Sequence, residues 1–339
     1  MYRRANIVHV TNPIRIFETL RAYQETAALK AAIDLGIFTA ITDGAASAAE
    51  IGSKCGAAER GVRILCDTLV VSQFLVKRDG GYENTPESAL FLNRESPAYI
   101  GAMVDFISHP DISTAMMNDL TETVRKGGTV MPGEGSVNPD NPMWVTFARA
   151  MAPMMMQAAQ AIAGHIPATG AFKILDIAAG HGMFGISIAQ RNPDAQITAL
   201  DWVAVLEVAK ENAAKAGVTS RYSTIPGSAF DVDYGSGYDA VLLTNFLHHF
   251  DVETNERLLR RVHAALKPGG KAITLEFVPE EDRVSPPVPA RFALTMLHTT
   301  ARGDAYTFSE LESMARNAGF ASSEHHRLET QQSVIISTK

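Results

Sequence analysis

Apolar residues recur every three or four positions through the first third of the chain, which is the period of amphipathic helices. A long helix is predicted over 13–41, with Gly36 as a stop signal. Ser47 and Glu50 have capping-box spacing within a stretch that predicts two more helices, and a short hairpin around 79–81 follows. This order of helices and hairpin is the plan of a winged-helix domain. The apolar positions of the long helix are Ile16, Leu20, Tyr23 and Ala27.

After Phe172 the pattern changes to short apolar runs that alternate with helical segments. Four runs are KILDIA, QITALDW, YDAVLLTNFL and KAITLEFV, and the chain ends in a further strand, SVIISTK. His325 and His326 precede this strand in what we interpret as a polar, solvated loop. The alternation is typical of a doubly wound sheet. We predict an α/β fold: a Rossmann-like, mostly parallel sheet with an antiparallel edge strand, preceded by a mainly helical winged-helix domain.

The composition of the segment between these two parts helps to place the domain boundaries. Residues 126–142 contain four glycines and three prolines, which indicates a loop. We predict a winged-helix domain over 1–97, a helical connecting segment over 98–165 that contributes to a substrate pocket, and the doubly wound domain over 166–339. One side of the helix after the loop is either core or an adaptable wall for an apolar ligand, because methionine repacks easily. Its residues are Trp144, Phe147, Met151 and Met155.

Charge and composition narrow the classes of partner. With 30 Lys and Arg against 37 Asp and Glu, the chain gives no electrostatic reason to expect nucleic acid or an anionic membrane. A ligand-responsive DNA regulator stays an alternative, but residues 44–95 hold six basic and seven acidic side chains, without the cationic footprint that DNA requires. Only two cysteines and no apolar run of membrane-spanning length occur, so we expect a cytoplasmic protein.

A glycine-rich turn follows the first apolar run of the second part. Gly180, Gly182 and Gly185 satisfy the pattern G-x-G-x-x-G, and Asp201 ends the next strand, where a carboxylate can take ribose hydroxyls. A nicotinamide enzyme is possible on this spacing alone. However, Asp176, just before the turn, would repel a pyrophosphate, whereas S-adenosylmethionine has no phosphate and carries an ammonium and a sulfonium group. The sign of the charge favours S-adenosylmethionine.

Two further features agree with this cofactor. Residues 265–277 place a Pro-Gly-Gly turn before a strand, and the preceding strand run leads into His248 and His249 at the carboxyl edge of the sheet. With these motifs in this order, the sequence resembles the class I S-adenosylmethionine-dependent methyltransferases. Among them it is similar to the small-molecule O-methyltransferases that include the plant phenolic and acetylserotonin enzymes. The resemblance covers nearly the whole chain and implies a homodimer, in which 1–97 is the dimerisation domain and 166–339 binds the cofactor.

The resemblance assigns the cofactor residues one by one. Ala178 replaces the first glycine of the family pattern D-x-G-x-G-x-G, and alanine is tolerated there if its backbone angle is ordinary. In the loop where relatives have Gly-Asp-x-Phe, Ser228 stands at the position of the aspartate. The resemblance implies that Asp201 binds the ribose and that Trp202 lies against the adenine. The cofactor-binding residues are then Asp176, Gly180, Gly182, Asp201, Trp202, Ser228, Ala229 and Phe230.

The resemblance also assigns a catalytic pair. His248 matches the family's base, and Glu276 falls 28 positions later, where the family keeps an acid beside that histidine. His248 would accept the proton of the substrate hydroxyl, and Glu276 would fix its tautomer. Ala305, next to Asp304, occupies the place of the family's second glutamate, so one acid is missing or displaced. A metal site of His248, His298 and Asp304 is an alternative, because a few relatives of this fold hold iron, but we predict no metal.

Substrate contacts are predicted from the same matching. Met296 and Thr300 fall at substrate-contacting positions of the family. His249 is structural or faces the substrate, and His298 faces the pocket or packs inside. The candidate substrate residues are Trp144, Phe147, Met151, Met155, His249, Met296, His298 and Thr300.

These assignments imply an enzyme of secondary metabolism. We expect an S-adenosylmethionine-dependent O-methyltransferase that methylates a phenolic or enolic hydroxyl of a small molecule by in-line transfer. Ala305, in place of an acid, motivates an alternative: an enzyme of the same fold that catalyses carbon methylation, decarboxylation, hydroxylation or ring closure. The candidate substrate residues are generically apolar, so they do not identify the acceptor.

Overall fold

The structure is a computed structural model that describes residues 11–135 and 143–339. The chain divides into two compact units, and the boundary falls between Val104 and Asp105. Within the two described ranges, no helix combines the length and the apolar character needed to cross a lipid bilayer.

The N-terminal unit has the predicted order of helices and hairpin. Its elements are α1 (Ile14–Leu35), α2 (Ile37–Thr42), α3 (Ala48–Cys55), α4 (Glu59–Val71), β1 (Leu75–Arg78), β2 (Gly81–Asn84) and α5 (Pro86–Phe91). Gly36 ends α1 with a φ of 75°, which is the left-handed conformation that favours glycine at a helix end. The predicted capping box of Ser47 and Glu50 is present at the start of α3. The antiparallel pair of β1 and β2 forms the small wing.

A helical segment precedes the sheet of the second unit. It contains α6 (Met103–Ile107), a π-helical turn (Pro110–Thr114), α7 (Ala115–Lys126), a short 3-10 turn (Pro132–Glu134) and α8 (Met143–Gly164). Helix α7 ends where the glycine- and proline-rich loop was predicted to begin, and Gly127 caps it with a φ of 78°. The last part of that loop, 136–142, lies outside the described residues.

A seven-stranded sheet forms the centre of the second unit. Its strands lie in the order β5-β4-β3-β6-β7-β9-β8, and all pairs are parallel except those made by β9. The predicted fold class is confirmed. The elements are β3 (Lys173–Ile177), α9 (Met183–Arg191), β4 (Gln196–Asp201), α10 (Val203–Lys215), β5 (Tyr222–Pro226), β6 (Tyr238–Thr244), α11 (Val252–Ala265), β7 (Leu266–Glu276), α12 (Pro287–Thr299), α13 (Phe308–Asn317), β8 (Ser322–Arg327) and β9 (Ser333–Thr338), with short 3-10 turns at Thr219–Arg221 and Leu247–His249.

One strand corrects the sequence-based expectation. His325 and His326 lie in β8, which forms the edge of the sheet outside β9, and not in a solvated loop. Both are half-buried, and the His325 ring stacks on Phe308 with 5.0 Å between the ring centres. The sequence SSEHHR lacks an apolar run because every residue of this edge strand is exposed or half-buried.

The helices cover both faces of the sheet. Alternate residues of a strand point to opposite faces, so Ile174 packs with α8 and α9 while Leu175, the next residue of β3, packs with α11 and α13. Strand β4 pairs with one edge of β3, and β6, which comes later in the chain, pairs with the other edge. Ligands of such sheets bind outside the carboxyl ends of the strands at this reversal. The ends of β3, β4, β6 and β7 are therefore the place for a functional site.

Candidate active site

The glycine turn joins β3 to α9 at the carboxyl end of the sheet. Gly180 and Gly182 have φ values of 57° and 75°, in the left-handed region that favours glycine. A Cβ atom on Gly182 would lie 2.6 Å from the hydroxyl of Tyr222, so this glycine is needed for packing against β5. A Cβ atom on Gly180 would meet nothing nearer than 3.9 Å, so Gly180 borders open space where a ligand can approach the backbone.

Ala178 does not have the ordinary backbone angle that would make alanine harmless in this turn. Its φ is 55°, so the alanine has the left-handed conformation that favours glycine. A non-glycine residue in this conformation costs about 1 kcal/mol or more. The turn therefore carries backbone strain at Ala178.

Asp176 lies beneath the turn and is fully buried. Its Oδ2 accepts the N–H of Gly185 at 3.2 Å, and its Oδ1 has no hydrogen-bond partner. Burial raises the pKa of this carboxyl to about 7, and the nearby Asp201 adds to the increase. The carboxyl group is thus shielded from water, and one of its oxygens is still able to accept a hydrogen bond.

Asp201, the last residue of β4, connects the three segments assigned to the cofactor. Its Oδ2 accepts the N–H of Gly180 at 2.8 Å, and its Oδ1 accepts the N–H of Trp202 at 2.7 Å. Its main-chain carbonyl accepts the N–H of Gly227 at 3.0 Å. Burial raises the pKa of Asp201 to about 6, against the effect of the two hydrogen bonds to its carboxylate.

The loop after β5 contains the last three predicted cofactor residues. The Oγ atom of Ser228 accepts the N–H of Phe230 at 3.1 Å, so the serine folds the loop. Ala229 is buried, and the Phe230 ring packs edge-on against Phe250 with 5.0 Å between centres. Trp202 packs in a cluster with residues of α8 and α10.

We expect a buried Asp176 to make the ligand-free protein less stable as the pH rises from about 4 to about 7. Its pKa is about 7 in the folded protein and about 3.9 in an unfolded chain. The folded state therefore binds the additional proton in this window, and the free energy of unfolding falls as the proton is lost. Loss of the Asp201 proton also lowers the free energy of unfolding, over a narrower pH range, because the pKa of Asp201 is about 6 in the folded protein.

The substitution Asp176→Asn isolates this contribution, because asparagine does not titrate. Melting temperatures of the ligand-free protein between about pH 5 and pH 7.5 should fall less steeply in Asp176→Asn than in the unmodified protein. Asp43→Asn, which changes an exposed carboxylate of the N-terminal unit, should leave the slope unchanged. Identical slopes in the unmodified protein and Asp176→Asn would contradict the assignment.

The predicted catalytic pair is in direct contact. His248 lies in the 3-10 turn after β6, and Glu276 is the last residue of the adjacent parallel strand β7. The Oε2 atom of Glu276 lies 2.5 Å from Nδ1 of His248, and both side chains are buried. The Oε1 atom accepts the N–H groups of Phe246, Leu247 and His248 at 3.1, 2.9 and 3.3 Å. Glu276 thus accepts hydrogen bonds with both oxygens, and Nδ1 of His248 donates.

Three residues that the sequence analysis missed hold the histidine turn from outside. The side-chain amide of Asn255, on α11, donates to the carbonyls of Leu247 at 2.9 Å and of Phe250 at 3.2 Å. The Tyr306 hydroxyl donates to the same Phe250 carbonyl at 2.5 Å. A Cβ atom on Gly303 would lie 2.2 Å from the carbonyl oxygen of His248, so only glycine fits there. The sequence signal for Asn255 was a polar residue on the buried face of a helix.

Aromatic rings surround His248. Phe292, on α12, meets the His248 ring edge-on at 4.8 Å and lies 4.3 Å from Phe277. The His249 ring lies 4.4 Å from that of His248 and 5.6 Å from that of Trp144. Burial, with the nearby His248, holds the pKa of His249 well below its usual value, so His249 is neutral. Phe292 could have been found, because it precedes Met296 by one helical turn.

The other predicted substrate residues are distributed over several environments. Phe147 packs against Phe106 at 4.9 Å, and Met151 packs partly buried against the core of the sheet. Met155 belongs to that core, and its Sδ atom lies 3.8 Å from the amide nitrogen of Asn245.

The residues at the end of α12 are buried inside the chain. Met296 is 4% exposed. His298 is fully buried, with no hydrogen-bond partner at either ring nitrogen, and burial lowers its pKa. The Thr300 hydroxyl donates to the carbonyl of Met296 at 2.6 Å and accepts the N–H of Gly303 at 2.8 Å, so both its hydrogen bonds are made within the chain.

Asp304, next to the position of the family's second acid, has partners of its own. Its carboxylate pairs with Arg283 at 3.2 Å and accepts the N–H of Ala305 at 2.8 Å. Ala305 itself is buried. In the described part of the chain, no group of three or more His, Cys, Asp or Glu residues has an arrangement that could hold a metal ion.

A glycine turn above the buried Asp176 and the half-buried Asp201 shares one edge of the sheet with a histidine held by a glutamate, which is an arrangement typical of an α/β enzyme. Comparisons with known proteins agree. A model of the O-methyltransferase domain matches residues 135–321, and a model of the O-methyltransferase dimerisation domain matches residues 17–94. The 3-hydroxy-5-methyl-1-naphthoate 3-O-methyltransferase of Streptomyces sahachiroi is 30% identical over 301 residues, which cover 87% of this chain and 86% of that protein.

Solved structures give the same result. A protein of Nostoc punctiforme, provisionally described as an O-methyltransferase, is 51% identical and superimposes with a TM-score of 0.93, covering 97% of this chain and 100% of that one. Human N-acetylserotonin methyltransferase in complex with S-adenosylmethionine has the same fold, with a TM-score of 0.85 at 21% identity over 98% of this chain and 99% of that one. The chain belongs to the O-methyltransferase family, as the sequence motifs predicted.

Proposed function

We propose that this enzyme transfers the methyl group of S-adenosylmethionine to a phenolic or enolic hydroxyl of a small molecule, with His248 as the general base. The proposal depends on one contact: Oε2 of Glu276 lies 2.5 Å from Nδ1 of His248, and both side chains are buried. This contact lies at the carboxyl edge of the sheet, where the glycine turn also lies. S-adenosylmethionine supplies an electrophilic methyl group on a sulfonium centre. The acceptor hydroxyl must lose its proton as the new bond forms.

The residues around the glycine turn fit this cofactor in charge. The carboxyl group of Asp176, beneath the turn, suits a ligand that carries an ammonium and a sulfonium group. Asp176 retains a buried oxygen without a hydrogen-bond partner. Asp201 would bind the ribose, and the segment Ser228, Ala229 and Phe230 would hold the adenine. The open space at Gly180 lets a ligand reach the backbone.

The protein groups around His248 determine which nitrogen acts. Because Nδ1 donates to Glu276, the lone pair of the neutral ring is on Nε2, which would accept the hydroxyl proton. The carboxylate of Glu276 stabilises the imidazolium that results. His249 stays neutral, so it adds no positive charge beside that imidazolium. The rings of Phe292 and His249 exclude water from this side of the base.

The relatives support an aromatic hydroxyl as the acceptor. The naphthoate enzyme of Streptomyces sahachiroi is named for a 3-O-methylation. TcmO of Streptomyces glaucescens, a tetracenomycin polyketide synthesis 8-O-methyl transferase, is 26% identical and covers 92% of each chain. The Phe292 ring beside His248 and the Trp144 ring beside His249 provide apolar surface for a flat ring.

Carbon methylation is the second candidate. The L-tyrosine C(3)-methyltransferase of Streptomyces lavendulae is 25% identical and covers 92% of this chain and 88% of that protein. Ala305, at the position of the family's second acid, is the feature of this chain that favours it, because Asp304 turns to Arg283 instead.

A labelling experiment separates the two candidates. The purified enzyme is incubated with methyl-labelled S-adenosylmethionine and a panel of hydroxylated naphthoates and simpler phenols. We expect a product whose label is on oxygen, as shown by NMR of the isolated compound. Label on a ring carbon would establish the second candidate and reject the first.

We also propose that the enzyme is a homodimer that buries α1. A model of a dimerisation domain matches this region. Along α1, a row of large apolar side chains is exposed, with Leu20 at 66%. The other members of the row are Ile14, Ile16, Phe17 and Tyr23. A stripe of this kind favours association with a second copy.

The substitution Leu20→Glu should raise the dimer dissociation constant at least about tenfold, because it removes two buried leucines from a symmetric interface and adds two charges. Light scattering over a dilution series measures this. Ala22→Glu places the same charge on the other side of the helix and should leave the dimer intact. A monomeric unmodified protein, or an unchanged dimer in Leu20→Glu, would reject the proposal.

A further inference from the structure

Arg261 holds the loop after β5 by its main-chain carbonyls. This arginine lies on α11 and is half-buried. Its Nη1 donates to the carbonyls of Ala229, at 3.1 Å, and of Phe230, and its Nη2 donates to that of Val232 at 2.6 Å. The guanidinium also covers the ring of Tyr234, with 4.8 Å to the ring centre. A single cation therefore fixes three main-chain carbonyls of one loop through charge-assisted hydrogen bonds.

Several other polar groups of this loop are bonded within the loop or to β4. The Ser228 carbonyl accepts the N–H groups of Asp231 at 3.0 Å and Val232 at 3.1 Å. The Ser228 hydroxyl accepts the N–H of Phe230, and the N–H of Gly227 bonds to the carbonyl of Asp201. The carbonyls of Ala229, Phe230 and Val232 accept hydrogen bonds from Arg261 instead. The shape of the loop thus depends on this side chain.

A second arginine on the same helix face contacts the loop. Arg257 precedes Arg261 by one helical turn, and its guanidinium lies 5.6 Å from the centre of the Phe230 ring. Arginine suits such a role because its planar fork donates to several acceptors at once, whereas lysine is a point charge on a flexible stem. Helix α11 therefore acts as a support behind the loop.

We propose that Arg261 is the positioning residue for the adenosine half of the cofactor. This inference rests on the proposed assignment of Ser228, Ala229 and Phe230 to the adenine. In this chain a serine stands where relatives have an aspartate, and Arg261 fixes the loop in its binding shape before the ligand arrives. A loop that is ordered in advance lowers the cost of binding. Arg261 does not touch the reacting atoms, so it governs affinity and not the chemical step.

The test compares Arg261→Met with Arg260→Met. Arg260 is the next residue on α11, but it is exposed and pairs with Glu256 at 2.8 Å. The probe is S-adenosylhomocysteine, and calorimetry measures its dissociation constant. We expect Arg261→Met to raise this constant by about 10- to 100-fold and Arg260→Met to change it by less than about twofold. Hydrogen exchange of the ligand-free protein should show faster exchange at 227–233 in Arg261→Met only.

A kinetic readout separates positioning from general damage. With an acceptor in hand, Arg261→Met should raise the KM for S-adenosylmethionine, while kcat at saturating cofactor stays within about twofold. Arg261→Lys, which keeps the charge and one donor group, should be intermediate and folds even if the methionine variant does not. An unchanged affinity for S-adenosylhomocysteine in either variant, or a fall in kcat without a rise in KM, would overturn the inference.

Phe230→Ala shows which proposal has failed. It removes the ring assigned to the adenine site and leaves the backbone contacts of Arg261 in place. If Phe230→Ala weakens binding and the Arg261 variants do not, only the inference on Arg261 is wrong. If neither Phe230→Ala nor the Arg261 variants weaken binding, the adenine does not lie at this loop and the cofactor assignment of Ser228, Ala229 and Phe230 is wrong as well.

Discussion

Replacing His248 by alanine should lower kcat by about 100- to 10,000-fold, which is the usual contribution of a general base. The affinity for S-adenosylmethionine should change little, because the glycine turn, Asp201 and the loop after β5 are built from other segments. Steady-state kinetics with an identified acceptor give kcat, and calorimetry gives the cofactor affinity. The effect belongs to the transition state and not to binding, so KM for the acceptor should change less than kcat.

Two results would reject the role of His248. A folded His248→Ala variant that keeps kcat within about fivefold of the unmodified enzyme would show that no base is needed. A loss of cofactor affinity equal to the loss of rate would show that the residue is structural. His263→Gln is the matched control, because His263 lies on α11 and packs against Phe320 outside the site.

The second large effect is expected from Glu276→Gln, which should lower kcat at least about 100-fold although the side chain keeps its size. The three backbone N–H groups around Oε1 can be satisfied only by the amide oxygen of glutamine. The NH2 group must then face Nδ1 of His248 and donate to it. Nδ1 becomes an acceptor, so the proton of the neutral ring moves to Nε2 and the base is blocked.

Stability measurements distinguish this tautomer effect from unfolding. Glu276→Gln keeps most hydrogen bonds of the turn and should cost about 1 to 2 kcal/mol in free energy of unfolding. Glu276→Ala leaves Nδ1 and three backbone donors unpaired at a buried position and should cost about 3 to 5 kcal/mol. Urea unfolding measures both values. Full activity in Glu276→Gln would contradict the tautomer argument, whatever its stability.

The contact between His248 and Glu276 could be predicted because His248 follows the end of one strand and Glu276 ends another. The apolar runs YDAVLLT and KAITLE identify β6 and β7, and the carboxyl ends of neighbouring parallel strands meet at one edge of a sheet. The resemblance to a known family supplied the pairing. The hydrogen-bond pattern of Glu276, with one oxygen for the backbone and one for His248, required coordinates.

The supports behind the site could not be read from the sequence. Arg261 and Asn255 lie on a helix that follows the histidine turn, and their partners are determined by how α11 packs on the sheet. Gly303 is required by an approach to the His248 carbonyl, a contact across 55 residues of chain. The left-handed φ of Ala178 could not be predicted either, because the turn imposes this angle and alanine does not favour it. Edge strand β8 was missed because its residues are mainly polar.

The central claim is that His248 takes a proton from the acceptor hydroxyl, and a series of phenols of decreasing hydroxyl pKa tests it directly. The ratio of single-turnover rates for the unmodified enzyme and His248→Ala is measured for each phenol at one pH. We expect this ratio to shrink toward one as the phenol becomes ionised in solution, because an ionised acceptor needs no base. A ratio that stays the same along the whole series would contradict the claim.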